Sequence, residues 1–86
     1  MRVAVKLFAR LRDLAGTGDA VCDVADDATI ADVWQAVARI HPAIVPHART
    51  VSAARNAVYA RMTTRVADGD EIAFLPPVSG GDEKMS

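Results

Sequence analysis

Glu71-Ile72-Ala73-Phe74-Leu75-Pro76-Pro77-Val78-Ser79-Gly80-Gly81 is the stretch on which both fold and function turn. Its first half alternates, with Ile72 and Phe74 on one face and Ala73 and Leu75 on the other, which predicts a strand. The prolines then hold φ at about −65° and favour an extended, stiff course away from the sheet. Gly80 and Gly81 lack Cβ atoms and fit a channel too narrow for any other residue. Taken alone, Pro-Pro and Gly-Gly are also ordinary turn punctuation. The remainder of the chain has to decide.

Working back from this strand, Asp68-Gly69-Asp70 has turn chemistry: acids that bond nearby backbone and a glycine free to take positive φ. Residues 51–55 and 58–61 read as two short strands separated by Asn56-Ala57. By alternation Tyr59 points opposite to Val58, and Val58 inward. Between residues 42 and 50, two prolines mark a connection with room for one helical turn. Before it lies the clearest helical stripe of the chain: Ile30, Val33, Trp34, Val37, Ala38 and His41. Thr29 is placed to cap that helix with Asp32 as a capping-box acid, and Pro42 stops it. At the start, residues 2–8 alternate Val3, Val5 and Leu7 against Ala4, Lys6 and Phe8, a strand period. Residues 9–15 form a short helical turn closed by Gly16. Residues 20–25 form another strand, with Cys22 and Val24 on one face, and Asp26-Asp27 a solvated loop. The expectation is an α+β fold: a mixed sheet of about five strands with one main helix packed across it.

Composition bounds the rest. The chain has 86 residues, of which 51% are hydrophobic and 24% charged, with a net charge of −1. One core is feasible, since chains of this size bury about 60–65% of their unfolded surface. No basic block suggests nucleic acid, and no apolar run approaches the ~20 residues of a membrane span. One cysteine forms no internal disulfide, which points to a reducing, cytoplasmic setting. Arg2, Lys6, Arg10 and Arg12 mimic a transit peptide, but their segment carries the strand period.

Three large side chains, Phe8, Tyr59 and Leu75, fall on the outward side of their strands near the departing tail. They suggest a partner-binding patch, although isolated exposed apolar residues are ordinary. Other candidates are weak. His41, His47 and Cys22 lack metal-ligand spacing. Asp26-Asp27 and Asp68/Asp70 sit in turns, Ser79 has no evident base, and Trp34 falls in the core stripe.

Phe8-Ala9-Arg10-Leu11-Arg12-Asp13-Leu14-Ala15-Gly16, Thr29-Ile30, Asp68-Gly69-Asp70-Glu71 and the Pro-Pro-Val-Ser-Gly-Gly tail together resemble the MoaD-type small subunits of molybdopterin synthase. These belong to the ubiquitin-like MoaD/ThiS group of β-grasp sulfur carriers. The resemblance covers residues 1–81, and the segment from Phe8 to Gly16 separates the chain from the shorter ThiS-type carriers of thiamine synthesis. It implies that an E1-like adenylyltransferase, using ATP and Mg²⁺, activates the carboxylate of Gly81 beside Gly80. A sulfur donor then converts it to a thiocarboxylate. Inside the large subunit, in a heterotetramer, that sulfur passes to cyclic pyranopterin monophosphate. The carrier is thus no enzyme alone and binds no cofactor or metal of its own. Phe8, Tyr59, Leu75, Pro76, Pro77, Val78 and Ser79 would meet its partners.

Two departures stand out. The family ends at its second glycine, whereas this chain continues as Asp82-Glu83-Lys84-Met85-Ser86. The expectation is a 1–81 carrier domain with an extension, 82–86, removed by a processing protease. The alternatives are a β-grasp interaction module with a blocked tail, or a carrier for thiamine or cysteine synthesis. Arg55 stands where the family usually has an apolar residue, which suggests a sheet-edge position with its charge reaching water.

Overall fold

A computed structural model of the chain describes residues 1–77. Five strands, β1 (Arg2–Leu7), β2 (Asp19–Asp23), β3 (Ser52–Arg55), β4 (Val58–Ala60) and β5 (Glu71–Leu75), form one sheet in the order β2-β1-β5-β3-β4. β1 and β5 run parallel and every other pair antiparallel, so the sheet is mixed. The last strand is central, and its register pairs Val5 with Ile72 and Leu7 with Phe74.

Alternation delivers the core. Val3, Val5, Leu7, Ile72, Phe74 and Ala53 are buried on one face of the sheet, against Ile30, Val33, Trp34 and Val37 of helix α2 (Ile30–Ile40). Each large apolar side chain so buried contributes about 1.5–3 kcal/mol. Trp34 meets Phe74 edge-on, with ring centroids 5.1 Å apart and planes at 73°, the geometry the ring quadrupoles favour.

Local chemistry sets the element ends. The Thr29 hydroxyl accepts the Asp32 amide, and the Asp32 carboxylate accepts the Thr29 amide at 2.9 Å, completing the capping box. The next amides, Ile30 and Ala31, donate to the carbonyls of Thr64 and Met62, so the helix start is fastened to the chain that leads into β5. His41 is the C-cap of α2, and Pro42–His47 forms a 3₁₀ segment that buries Ile44. Helix α1 (Ala9–Ala15) ends on Gly16, whose φ of 76° is left-handed and needs no Cβ to be accommodated. Among the described residues no helix is long and apolar enough to cross a membrane.

Three sequence expectations need correction. β2 spans Asp19–Asp23, so Cys22 is buried while Val24 lies beyond the strand, half-buried. Val58 shares the helix-facing side with Ala53 through its pairing with Arg55, yet it is 68% exposed, because β4 is an edge strand that overhangs the core. Arg55 is not at the sheet edge. Its strand lies between β5 and β4, and its partly exposed guanidinium meets a carboxylate.

That carboxylate, Asp70, is the buried charge among the described residues, at 7% exposure. It accepts from Arg55 Nε at 2.5 Å, from Asn56 Nδ2 at 3.0 Å and from the Ala67 amide at 2.7 Å. A buried carboxylate is tolerated when so paired. Asp68 and Gly69 complete the turn by bonding both backbone groups of Arg2, and the Ala4 amide donates to the Asp70 carbonyl. The turn thereby sets the register of β5 on β1.

The Arg55 partnership, with Asn56 and Ala67, holds the Asp70 carboxyl at about 2, below its ordinary 3.8, against the opposing effect of burial. A depressed carboxyl stabilises the fold above its unfolded pKa and loses that contribution as pH falls through its folded one. Denaturant titrations should therefore show a component of stability lost between about pH 4 and about pH 2. Asp70→Asn should lack that component, and Asp70→Ala should cost about 1–3 kcal/mol near neutral pH by leaving its donors unpaired.

Candidate partner-docking groove and tail exit

The sheet face away from α2 has small residues at its centre. Ala54 pairs with Ala73 across β3 and β5, and with Tyr59 across β3 and β4. Two methyl groups side by side leave a depression where larger residues would fill the surface. Larger side chains rim it, giving a groove of about 280 Å³ lined by Lys6, Phe8, Ala57, Tyr59, Glu71 and Leu75 around the two alanines. Phe8, Tyr59 and Leu75, expected on the outward face from alternation alone, are brought together there.

Each reaches the groove by a different route. Tyr59 stands on the edge strand β4 and is 76% exposed. Leu75 ends β5, pairs with Ser52 and is half-buried. Phe8 lies one residue past β1, where it is the N-cap of α1 rather than a strand residue, and is 47% exposed. Its amide donates to the Phe74 carbonyl at 3.2 Å, and the next residue, Ala9, turns the chain at a φ of 50°. Among the described residues the other non-glycine residues with positive φ are Asn56 and Ala57. Ala57 lines this groove, and Ala9 and Asn56 are the chain neighbours of its lining residues Phe8 and Ala57.

Charge is confined to one side. Lys6 pairs with Asp19 on β2, and this hydrogen bond and attraction, aided by Glu71, raise its pKa. The floor and the Phe8–Leu75 side are apolar. Such a surface suits a partner that presents apolar side chains with charged groups at the margin.

Immediately beyond Leu75, Pro76 is half-buried and Pro77 exposed, and neither belongs to a helix or strand. The chain thus leaves the sheet from its central strand, beside the groove. Val78, Ser79, Gly80 and Gly81, and the 82–86 extension, lie outside the described residues. Among the described residues no three His, Cys, Asp or Glu side chains come together as a metal site. Cys22 lies in the core, where burial raises its thiol pKa.

Sequence reasoning missed Asp70 and Asn56, reading both as turn residues. The signal was present in Arg55, a charged residue in an otherwise apolar strand, which asks for a nearby acid.

The sequence model of the ThiS family matches residues 5–81. The chain belongs to the ThiS family. Within it, the molybdopterin synthase sulfur carrier subunit of Chlamydomonas reinhardtii is 35% identical over 83 residues, covering 94% of this chain and all of that protein. Small archaeal modifier protein 1 of Haloferax volcanii is 37% identical over 84 residues, covering 88% of this chain and 97% of that one. A crystal structure of that modifier superposes with a TM-score of 0.83 over 94% of this chain and 100% of that chain, at 35% identity. The chain is also similar to one in the Amycolatopsis orientalis BexX/CysO complex, at 25% identity and a TM-score of 0.70 over 92% of this chain and 99% of that one. The expected ubiquitin-like β-grasp architecture is therefore correct, as is the likeness to MoaD-type carriers.

If the groove residues stand free of the core, charging them should hardly alter folding. Phe8→Asp and Tyr59→Asp are each expected to change the unfolding free energy by less than about 1 kcal/mol in denaturant titrations. A larger loss would make the rings part of the packing. Leu75, being half-buried, is a less clean probe.

Proposed function

We propose that this chain is the sulfur carrier of a molybdopterin synthase, with Gly81 as its reactive end. The observation that carries the reading is the match to a molybdopterin synthase sulfur carrier subunit across the whole of that protein. The family match ends on Gly81 itself, which supports removal of residues 82–86 by a protease to free its carboxylate.

A free carboxylate is a poor electrophile because oxide is a poor leaving group. An E1-like partner, with ATP and Mg²⁺, joins the Gly81 carboxylate to AMP and releases pyrophosphate. A donor delivering sulfur at the sulfide level (HS⁻) then attacks the acyl carbon and expels AMP, leaving R–CO–S⁻ after loss of its proton. In the large synthase subunit that sulfur bonds to a side-chain carbon of cyclic pyranopterin monophosphate as a carbon–oxygen bond there breaks and its oxygen group leaves, and water then cleaves the acyl–sulfur bond to restore the carboxylate. A second loaded carrier repeats the transfer, giving a dithiolene.

Most of the rate in such a transfer comes from holding the sulfur against its acceptor. The carrier therefore needs reach and a docking face, not an acid and a base. Pro76 and Pro77 stiffen the root of the tail, Val78 and Ser79 extend it, and Gly80 and Gly81 are thin enough to enter a narrow channel. Phe8, Tyr59 and Leu75 meet the large subunit, in a heterotetramer, and the activating enzyme in turn. The setting is cytoplasmic and reducing. The chain itself holds no cofactor.

One observation favours a second reading: the chain is 37% identical to a protein named as a modifier. The same acyl-adenylate would then be captured by a protein amine, joining Gly81 to its target through an amide.

Intact-mass spectrometry on protein from native cells tests both. The carrier reading expects a species ending at Gly81 that gains the mass of an oxygen-to-sulfur exchange with the adenylating enzyme, ATP and a sulfur donor. Amide-linked adducts would favour the modifier. Universal retention of Ser86 would overturn both. Phe8→Asp is further expected to abolish co-purification with the large subunit while the protein stays folded.

A further inference from the structure

The wall of the groove that carries Tyr59 is the least supported part of the sheet. Among the described residues β4 pairs only with β3, through Ala53–Ala60, Ala54–Tyr59 and Arg55–Val58. Its side chains Val58 and Tyr59 stand in solvent, and Ala60 alone of the strand packs, partly buried, against the core. Its two-residue turn requires left-handed backbone at both positions, and Asn56 and Ala57 have φ of 50° and 72°. Asn-Gly is the sequence such a turn favours. Asn suits the first position, but Ala57 carries a Cβ into a conformation where glycine alone is free of strain. Left to itself, this hairpin would open readily.

What holds it comes from the start of β5. Asn56 Nδ2 donates to Asp70 Oδ1, Asn56 Oδ1 accepts the Glu71 amide at 2.9 Å, and the Asn56 amide donates to the Glu71 carbonyl at 2.8 Å. The other Asp70 oxygen takes Arg55, the residue just before the turn. Asp70 itself is buried. Its carboxylate acts on the turn of one hairpin and on its own loop.

We propose that Asp70 and Asn56 are a positioning pair, clamping the β3–β4 turn to the start of β5 so that Ala57 and Tyr59 keep the shape of the docking groove. This rests on the groove being the face that meets the large synthase subunit. The pair touches no partner; it acts through the turn. It also links the two ends of β5, since the strand that carries the tail also fixes the wall of the groove beside it.

Amide hydrogen exchange and affinity for the purified large subunit test the pair together. In Asp70→Ala, exchange at Val58 and Ala60 should quicken on the order of tenfold or more, by as large a factor as at Val5, Leu7 and Phe74, because opening β4 breaks the same Asp70 bonds that global unfolding breaks. Affinity should fall as well, and adding Ala57→Gly, which relieves the strained turn, should recover much of it. Asn56→Ala removes only the turn side of the clamp and should give the same pattern should Asp70→Ala fail to fold. Exchange in β4 that quickens less than at Val5, Leu7 and Phe74, or not at all, would overturn the proposal, because opening β4 would then leave the Asp70 bonds intact. Quickening in β4 with affinity unchanged would also overturn the positioning role. In that last case, loss of binding by Phe8→Asp would leave the docking face standing, and its absence would remove the face as well.

Discussion

The parallel pairing of β1 with β5 is the constraint on which the molecule depends. It joins the first strand of the chain to the last at the middle of the sheet. Everything between must fold around that junction: the β2 hairpin on one flank, α2 across one face, and β3 and β4 on the other flank. Closing so long a loop costs little more entropy than closing a short one. The compensation is concentrated, because Val5, Leu7, Ile72 and Phe74 are all essentially buried where the two strands meet. The Asp68–Asp70 turn fixes their register through both backbone groups of Arg2. A slip of one residue would turn Phe74 towards solvent and Leu75 into the core.

The same junction explains how one strand serves two faces. Ile72 and Phe74 face α2, while Ala73 faces the groove and Leu75 borders it. The inward residues are large and the outward ones at the centre are small. One sequence alternation thus makes a packed interior and an exterior depression together. A partner can read that depression without disturbing the core, since the side chains that rim it contribute little to packing.

Much of this was legible in the sequence because it rests on short-range rules. The capping box at Thr29 and Asp32, the stop at Pro42, the Gly16 cap and the alternation of β1 and β5 each follow from a few neighbouring residues. Phe8, Tyr59 and Leu75 were placed outward by parity alone, and the structure gathers them around one groove. Parity gave the face of Val58 but not its burial, because a strand at the sheet margin can expose both its faces. It failed differently at Arg55, whose partner lies fifteen positions along the chain. Strand order and long-range ion pairs are decided by how elements meet, and no local pattern encodes that. Asp70 was misread for this reason: its turn chemistry is real, but its second role appears only when the β3–β4 hairpin is folded beside it.

The central position of β5 also has a mechanical meaning. A partner that draws on the segment after Leu75 pulls along the axis of a strand held by ladders on both sides. The load is then shared in shear by the bonds to β1 and β3 at once, whereas a margin strand such as β4 would peel away bond by bond. The body can therefore be gripped at its groove and tugged by its end without unravelling, as a handle should.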